Sequence, residues 1–457
     1  MNKTNYKFIL IATSFAPQNR ISAIRMSKIS KYLTRLGHDV TIMTPQIDDS
    51  DIIDNSLLSP EYDQMKVIRI GNSKVFNNSL KKIRNRMVKN KPGHSYANNS
   101  NSILKKTKSY IFKVGIEYYL NLESKLWEAN VIKYLKESNT SLNSAIILSS
   151  YPKLSAHNIS MKLKKNNQVK LWIADFRDPL IYEQLNTNAH MVKQRKIQEN
   201  ISDHADLITY VSENMIFKLT STNSLLDKFK YLPNGFDTED LNIINTSNLD
   251  IIELYPFFLR ISYVGGLYGG KRDLTKIFEQ IRKLIDENKI SENKIKFFYA
   301  GKEFDTLYKQ ASKVKLEHTI VNMGFVSRAD SLAIQKQSNI VIVSTWNTEN
   351  DLGVIPGKIY ECFLLGKPII AITNGTIPNS ELGNMVEKSS LGIEVNSMMN
   401  DIEQDTRLNA FISEAYKHAL EGNDKYLNIN TKYINQFDYS NITSKLVEIV
   451  EEKLKGA

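Results

Sequence analysis

Residues 8–43 read FILIATSFAPQNRISAIRMSKISKYLTRLGHDVTIM. Phe8 to Ala12 is a short apolar run suited to a buried parallel strand. From Ile21 to Leu36 the apolar residues Ile21, Ile24, Ile29, Leu33 and Leu36 recur at helical spacing. Arg25, Lys28, Lys31 and Arg35 are then expected on the opposite, polar side. Gly37 stops the helix, as a left-handed C-terminal residue does, and Val40 to Met43 is the next strand. Strand, helix and strand in this order form a βαβ unit, which commits the chain to a parallel sheet covered by helices. Lys3 and Lys7 before the apolar run have the outline of a signal peptide, but Thr13 and Ser14 interrupt it.

The alternation continues outward from this unit. Val67 to Ile70, Ala145 to Leu148, Leu171 to Ala174 and Leu207 to Val211 read as strands, with helical stretches such as Tyr118 to Leu135 between them. A polar stretch follows, and the pattern restarts with the strand Ile261 to Val264, the helix Leu274 to Ile285 and the strand Ile295 to Ala300. Val321 to Phe325, Ile340 to Val343 and Pro368 to Ile372 extend it. The expected architecture is α/β, with two doubly wound, Rossmann-like domains facing a cleft. They are placed at 1–240 and 258–435, with a boundary near residues 238–257. A last helix within 436–457 is expected to pack back on the first domain. Ligands of such sheets bind beyond the carboxyl ends of the strands, so functional residues are sought there.

The chain has 457 residues, 42% of them hydrophobic and 24% charged, the composition of a folded soluble protein. No apolar run approaches the roughly 18–20 residues of a membrane span. Cys362 is the only cysteine, which excludes an internal disulfide and a multi-cysteine metal site and fits a reducing, cytosolic setting. The 7 histidines form no ligand pair at helical spacing, and Asp48, Asp49 and Asp51 give no convincing metal pattern. No metal or other cofactor is expected. The formal net charge is +11, and the segment from Lys74 to Lys113 carries 11 basic residues and no acidic one. Charge confined to one segment, without a recognisable RNA- or DNA-binding motif, argues against nucleic acid as partner. In that segment basic residues alternate with Leu80, Ile83, Met87, Val88, Ile103, Leu104, Ile111 and Phe112. That mixture suits shallow insertion at an anionic membrane surface.

Four strand-end segments carry the chemistry. Ser14-Phe15-Ala16-Pro17-Gln18-Asn19-Arg20 has no glycine, which excludes a dinucleotide fingerprint, and no Walker P-loop occurs anywhere. Gly265-Gly266-Leu267-Tyr268-Gly269-Gly270-Lys271-Arg272 offers backbone amides and two cations, a combination suited to a diphosphate or to a plain solvated turn. Asp175-Phe176-Arg177-Asp178-Pro179 places two carboxylates and an arginine at a strand end, either as a self-paired turn or for function. Gly353-Val354-Ile355-Pro356-Gly357-Lys358-Ile359-Tyr360-Glu361 enters a helix on which Lys358 and Glu361 share a face, as ligand contacts or as a surface ion pair.

Together these residues resemble the GT-B glycosyltransferases, specifically glycosyltransferase family 4. Further support comes from Ala23-Ile24-Arg25 through Leu36-Gly37-His38-Asp39-Val40, from Leu232-Pro233-Asn234-Gly235-Phe236-Asp237, and from Pro356 through Pro368. Asp175 to Pro179 looks like the DxRDP variant of members that build bacterial surface polysaccharides. The resemblance implies a transfer, with retention of configuration, of a sugar from a nucleotide-sugar donor to a saccharide or lipid-diphosphate acceptor. It puts Lys271 and Arg272 on the donor diphosphate, with Gly266 standing where an arginine is common. Glu361 matches the ribose-binding second glutamate of Glu-x7-Glu, with Gly357 and Lys358 beside it. Gly324 and Phe325 fall where the base is met. Asp178 and Lys271 are implied at the reacting centre, and Arg20, Asp175 and Arg177 on the acceptor side. Gly353 stands where the first glutamate, the usual sugar contact, belongs. That departure keeps open a non-catalytic subunit of a transferase complex, and a nucleotide-sugar epimerase, which shares the fold, is a second alternative. The implied location is cytoplasmic, peripheral on the inner face of a bacterial cell membrane.

Overall fold

The structure is a computed structural model that describes residues 4–49, 51–72, 121–138, 140–151, 153–178, 180, 188–220, 226–349, 351–399, 401–423 and 427–456. The basic segment from Lys74 to Lys113 lies outside the described residues. Two compact units are present: Met1–Asp175 with Glu199–Ile208, and Phe176–Gln198 with Thr209–Ala457.

The first sheet has seven strands: β1 (Lys7–Ala12), β2 (Asp39–Pro45), β3 (Lys66–Ile70), β4 (Ala145–Ser150), β5 (Leu171–Phe176), β6 (Leu207–Tyr210) and β7 (Phe229–Tyr231). Their spatial order is β3-β2-β1-β4-β5-β6-β7. The pairings of β1 with β2 and β4, of β2 with β3, and of β4 with β5 are all parallel. Parallel strands need crossovers, and the helix Ile21–Arg35 supplies the first one. β1 and β4 are buried almost throughout, the consequence of helices on both faces.

The helix Ile21–Arg35 departs from the amphipathic expectation. Arg25 is 1% exposed, Lys28 6% and Lys31 2%, so the face expected to be polar and solvated is buried. The reason for Arg25 is plain: a carboxylate waits for it. Its Nε and Nη2 reach Asp175 at 3.0 and 2.8 Å. Lys31 places its ammonium 5.1 Å from the centre of the Tyr32 ring. Arg35 does reach the periphery, where it pairs with Glu61.

The second sheet has six strands: β8 (Leu259–Val264), β9 (Ile295–Ala300), β10 (Ile320–Gly324), β11 (Ile340–Trp346), β12 (Ile369–Asn374) and β13 (Gly392–Asn396), in the order β10-β9-β8-β11-β12-β13. All of its pairings are parallel. Alternate residues feed two cores. Ile261, Tyr263, Ile340, Ile342, Ile370 and Ile372 join the core built with the helices Thr275–Asp286 and Ile402–Leu420. Val341, Val343, Ile369 and Ala371 join the opposite core with Ile359, Phe363, Met385 and Phe437. Each such side chain, fully buried, stabilises by roughly 1.5–3 kcal/mol before entropy is counted. The order of the strands reverses between β8 and β11, which makes their carboxyl ends the switch point of this sheet. The helix Tyr439–Lys455 is tied at its start to residue 236: Phe236 N–H donates to the Phe437 carbonyl and Tyr439 N–H to the Phe236 carbonyl. No described helix is long and apolar enough to cross a membrane.

Candidate active site

The glycine-rich turn leaves β8 at the switch point. Gly269 holds a left-handed φ of 67°, which lets the chain fold into a 3-10 turn, Tyr268–Gly270, before the helix Thr275–Asp286 begins. The turn's amides are not open. The Glu303 carboxylate, arriving from the end of β9, accepts from the N–H groups of Leu267, Tyr268 and Gly269, the last two at 3.0 and 2.7 Å. The helix start is closed as well, because Asp273 accepts from Thr275 N–H at 2.8 Å. The 267–269 amides are therefore taken, and what this turn leaves open is its side chains.

Arg272 is one of those side chains. Its guanidinium lies 4.7 Å from the Tyr268 ring centre and 5.3 Å from that of Trp346, the last residue of β11. Tyr268 and Trp346 meet edge to face at 5.4 Å. The Arg272 Nε and the Trp346 Nε1 are both buried without a hydrogen-bond partner among the described residues. Buried donors of this kind are uncommon and call for an acceptor. Lys271 is exposed next to it. Gly266 has room at its Cβ position, limited by Glu303 Oε2 at 3.4 Å. Its carbonyl accepts from the Tyr263 hydroxyl at 2.8 Å. The same strand edge continues laterally, since Gly265 N–H bonds the Ala300 carbonyl and Gly301 N–H bonds the Gly324 carbonyl. Phe325, 68% exposed, stands beyond Gly324 with the Lys302 ammonium 4.6 Å from its ring centre.

Glu361 lies on the helix Lys358–Leu365, which follows β11 and starts at Gly357. Lys358 Nζ reaches its two oxygens at 3.0 and 2.8 Å, and the Gln335 amide donates to it as well. Lys358 also donates to Ser331 Oγ at 3.0 Å. Burial pushes the Glu361 carboxyl up, but Lys358, Gln335 and the charge of Arg328 outweigh it and hold the group below the ordinary glutamate range. A quarter of the side chain remains exposed, so an ionised acceptor is available at this edge.

Gly353 is locked in its own way. It has a φ of 78°, and a Cβ there would lie 2.0 Å from Ser212 Oγ. Ser212 in turn donates to Glu381, which also accepts from the Glu213 and Asn214 amides at 3.0 and 3.2 Å. Burial raises the Glu381 carboxyl above its usual value despite these donors. No side chain fits at residue 353 without displacing this contact.

The Asp175 to Pro179 motif separates into two clusters. Asp175 belongs to the first unit, is 0% exposed, and is held by Arg25 and by Ser150 Oγ at 3.1 Å. Arg177 and Asp178 belong to the second unit and pair with each other, with Asp178 34% exposed. Arg20, half exposed, pairs with Asp51. Among the described residues no group of His, Cys, Asp and Glu has the arrangement of a metal site. Of the donor-side candidates, the structure gathers Gly266, Lys271, Arg272, Gly324, Phe325, Gly357, Lys358 and Glu361 along the carboxyl edge of one sheet. Glu303 and Trp346 are additions that the sequence reading missed. Trp346 could have been noticed as the aromatic that closes the β11 run, and Glu303 as the first acid after β9.

No family model matches the chain, and no curated protein matches it in sequence. Solved structures do. Sucrose-phosphate synthase from Thermosynechococcus elongatus is 13% identical, with 99% of this chain and 100% of that one covered and a TM-score of 0.59. Anabaena HepE, solved in complex with UDP and glucose, is 12% identical over 98% and 100%, with a TM-score of 0.57. A putative UDP-N-acetylglucosamine 2-epimerase from Listeria monocytogenes is 10% identical over 99% and 98%, with a TM-score of 0.51. The likeness is one of architecture: the chain has the GT-B fold, two Rossmann-like domains built on parallel sheets.

Proposed function

We propose that the protein is a glycosyltransferase that moves a sugar from a nucleotide-diphosphate donor to an acceptor hydroxyl. The observation that carries this reading is the Arg272 cluster at the switch point of the six-stranded sheet, where a cation and two unpartnered nitrogens await an acceptor. Glu361, kept ionised on the same edge, supplies the acceptor pair that ribose hydroxyls need. HepE, which shares the fold, is solved with UDP and glucose. As the bond to the anomeric carbon breaks, negative charge grows on the departing diphosphate. Arg272 and Lys271, aimed at that charge, lower the barrier without a metal ion having to do so. Retention of configuration, and Asp178 as the carboxylate near the reacting carbon, belong to the same proposal. So do Arg20, Asp175 and Arg177 on the acceptor side, Asp175 acting through its buried pair with Arg25. The acceptor proposed is a saccharide or lipid diphosphate of bacterial surface-polysaccharide synthesis, met by a protein that lies peripherally on the inner face of the cell membrane.

A second reading has a specific observation behind it. Gly353 leaves no sugar-contacting glutamate, which favours a non-catalytic subunit. An epimerase, as in the Listeria relative of this fold, is the third outcome. Incubation with a panel of nucleotide sugars, with and without acceptor glycans, separates the three. The proposal expects nucleoside diphosphate release that depends on acceptor. Acceptor-independent formation of an epimerised sugar, nucleotide-linked or free, indicates the epimerase, and binding without turnover the subunit.

A further inference from the structure

The amides of Leu267, Tyr268 and Gly269 converge as they would on a phosphate, yet a carboxylate of this chain fills the position. Its backbone is anchored: Glu303 N–H donates to the Tyr299 hydroxyl at 3.0 Å, and that hydroxyl donates to the Gly265 carbonyl at 3.3 Å. Tyr299 is itself 0% exposed and stacks on Tyr263 at 6.2 Å. From the same segment, Gln310 accepts from Leu274 N–H at 3.1 Å and donates to the Arg272 carbonyl at 3.4 Å, so both ends of the turn are held from one side. Three amide donors to a carboxylate are individually strong, and an incoming phosphate would have to replace all of them at once. Glu303 therefore stays.

We propose that Glu303 is a resident anion of the donor turn, one that shapes the turn for a diphosphate held by Arg272 and opposes its retention by like charge. This rests on the nucleotide-sugar reading only for the identity of the ligand. Its negative charge lies beside Gly266, with Oε2 3.4 Å from that residue's Cβ position. A phosphate seated on Arg272 feels that charge, and the repulsion is largest for the product diphosphate, which carries more charge than the ester it came from. Glu303 is thus a positioning residue that favours product departure.

The test is titration of the full chain with inorganic pyrophosphate and with UDP at low salt. Glu303→Gln is isosteric and keeps one acceptor oxygen but loses the charge. It is expected to bind both ligands on the order of tenfold more tightly, with the gain shrinking as salt rises. Glu303→Asp keeps the charge and should bind within about twofold of wild type. In turnover, Glu303→Gln should lower kcat more than KM and make nucleoside diphosphate a stronger product inhibitor. Unchanged or weaker pyrophosphate binding in Glu303→Gln, or equal tightening in Glu303→Asp, overturns the proposal. A wild type that ignores every nucleotide sugar while Glu303→Gln still gains pyrophosphate affinity removes the transferase reading and leaves this one standing.

Discussion

Two arginines in this molecule stand at strand ends among polar groups, Arg25 reaching the end of β5 from the helix Ile21–Arg35 and Arg272 following β8, and they are held oppositely. At the end of β5, Arg25 and Asp175 are 1% and 0% exposed, doubly bonded to each other and supplemented by Ser150. Nothing on that carboxylate is left for a ligand. At the end of β8, Arg272 lies between Tyr268 and Trp346 with its Nε unanswered, and an exposed lysine adjoins it. The difference teaches how to separate a structural ion pair from a binding site. Arg25 has its carboxylate partner within the fold, whereas the Arg272 Nε and the Trp346 Nε1 have no acceptor among the described residues.

The comparison breaks most visibly under Asp175→Ala. Arg25 would stay buried while losing both hydrogen bonds to its carboxylate, at a cost of about 3–5 kcal/mol in chemical denaturation. A loss under about 1 kcal/mol would show that water reaches the pair after all.

The same closed cluster should respond to acid. The Trp172 indole donates to Ser149 Oγ at 2.8 Å, and Ser149 Oγ shares a hydrogen bond with His157 Nδ1 at 2.7 Å whose direction follows the imidazole tautomer. Burial drives the His157 pKa down from 6.5 to about 4, although Asp175 pulls the other way. A depressed folded-state value means that the unfolded chain binds the proton first. Stability is therefore full above pH 6.5 and falls as pH drops towards 4, by up to about 3 kcal/mol. His157→Gln should flatten that part of the profile, and an equal slope in the variant would assign the acid response elsewhere.

At the open site the effects should appear in binding instead. Arg272→Ala and Glu361→Ala are each expected to weaken nucleoside diphosphate binding by about 1.5–3 kcal/mol in calorimetric titration. The smallest stability effect belongs to Asp178→Asn, whose partly exposed pair with Arg177 contributes about 1 kcal/mol or less. That variant should keep its melting temperature and lose transfer. A large melting shift with transfer intact would make Asp178 a structural partner of Arg177.

The fold was legible because parallel strands buried on both faces leave continuous apolar runs, as in Phe8 to Ala12 and Ile340 to Val343. β7 and β13 escaped the reading since Phe229–Tyr231 is very short and Gly392–Asn396 mixes polar and apolar residues. Arg25 was misjudged for a physical reason: helical periodicity tells which residues are charged, and only tertiary structure tells that a charge has a buried partner 150 residues away. The donor-side candidates were sought beyond strand ends and lie there in the second sheet, but the state of the turn's amides was not readable. Whether an N–H group is open depends on Glu303, which arrives from another strand.

The central claim is that the carboxyl edge of the six-stranded sheet binds a nucleotide-diphosphate sugar through Arg272 and Glu361. The most direct measurement is a thermal-shift and titration panel of uridine, guanosine, cytidine and thymidine diphosphate sugars on wild type, Arg272→Ala and Glu361→Ala. One donor at 100 times its dissociation constant should stabilise the wild type by about 2.7 kcal/mol. Both variants should lose most of that gain at the same concentration. No stabilisation of the wild type by any of the four classes, or an equal gain in wild type and variants, would contradict the account.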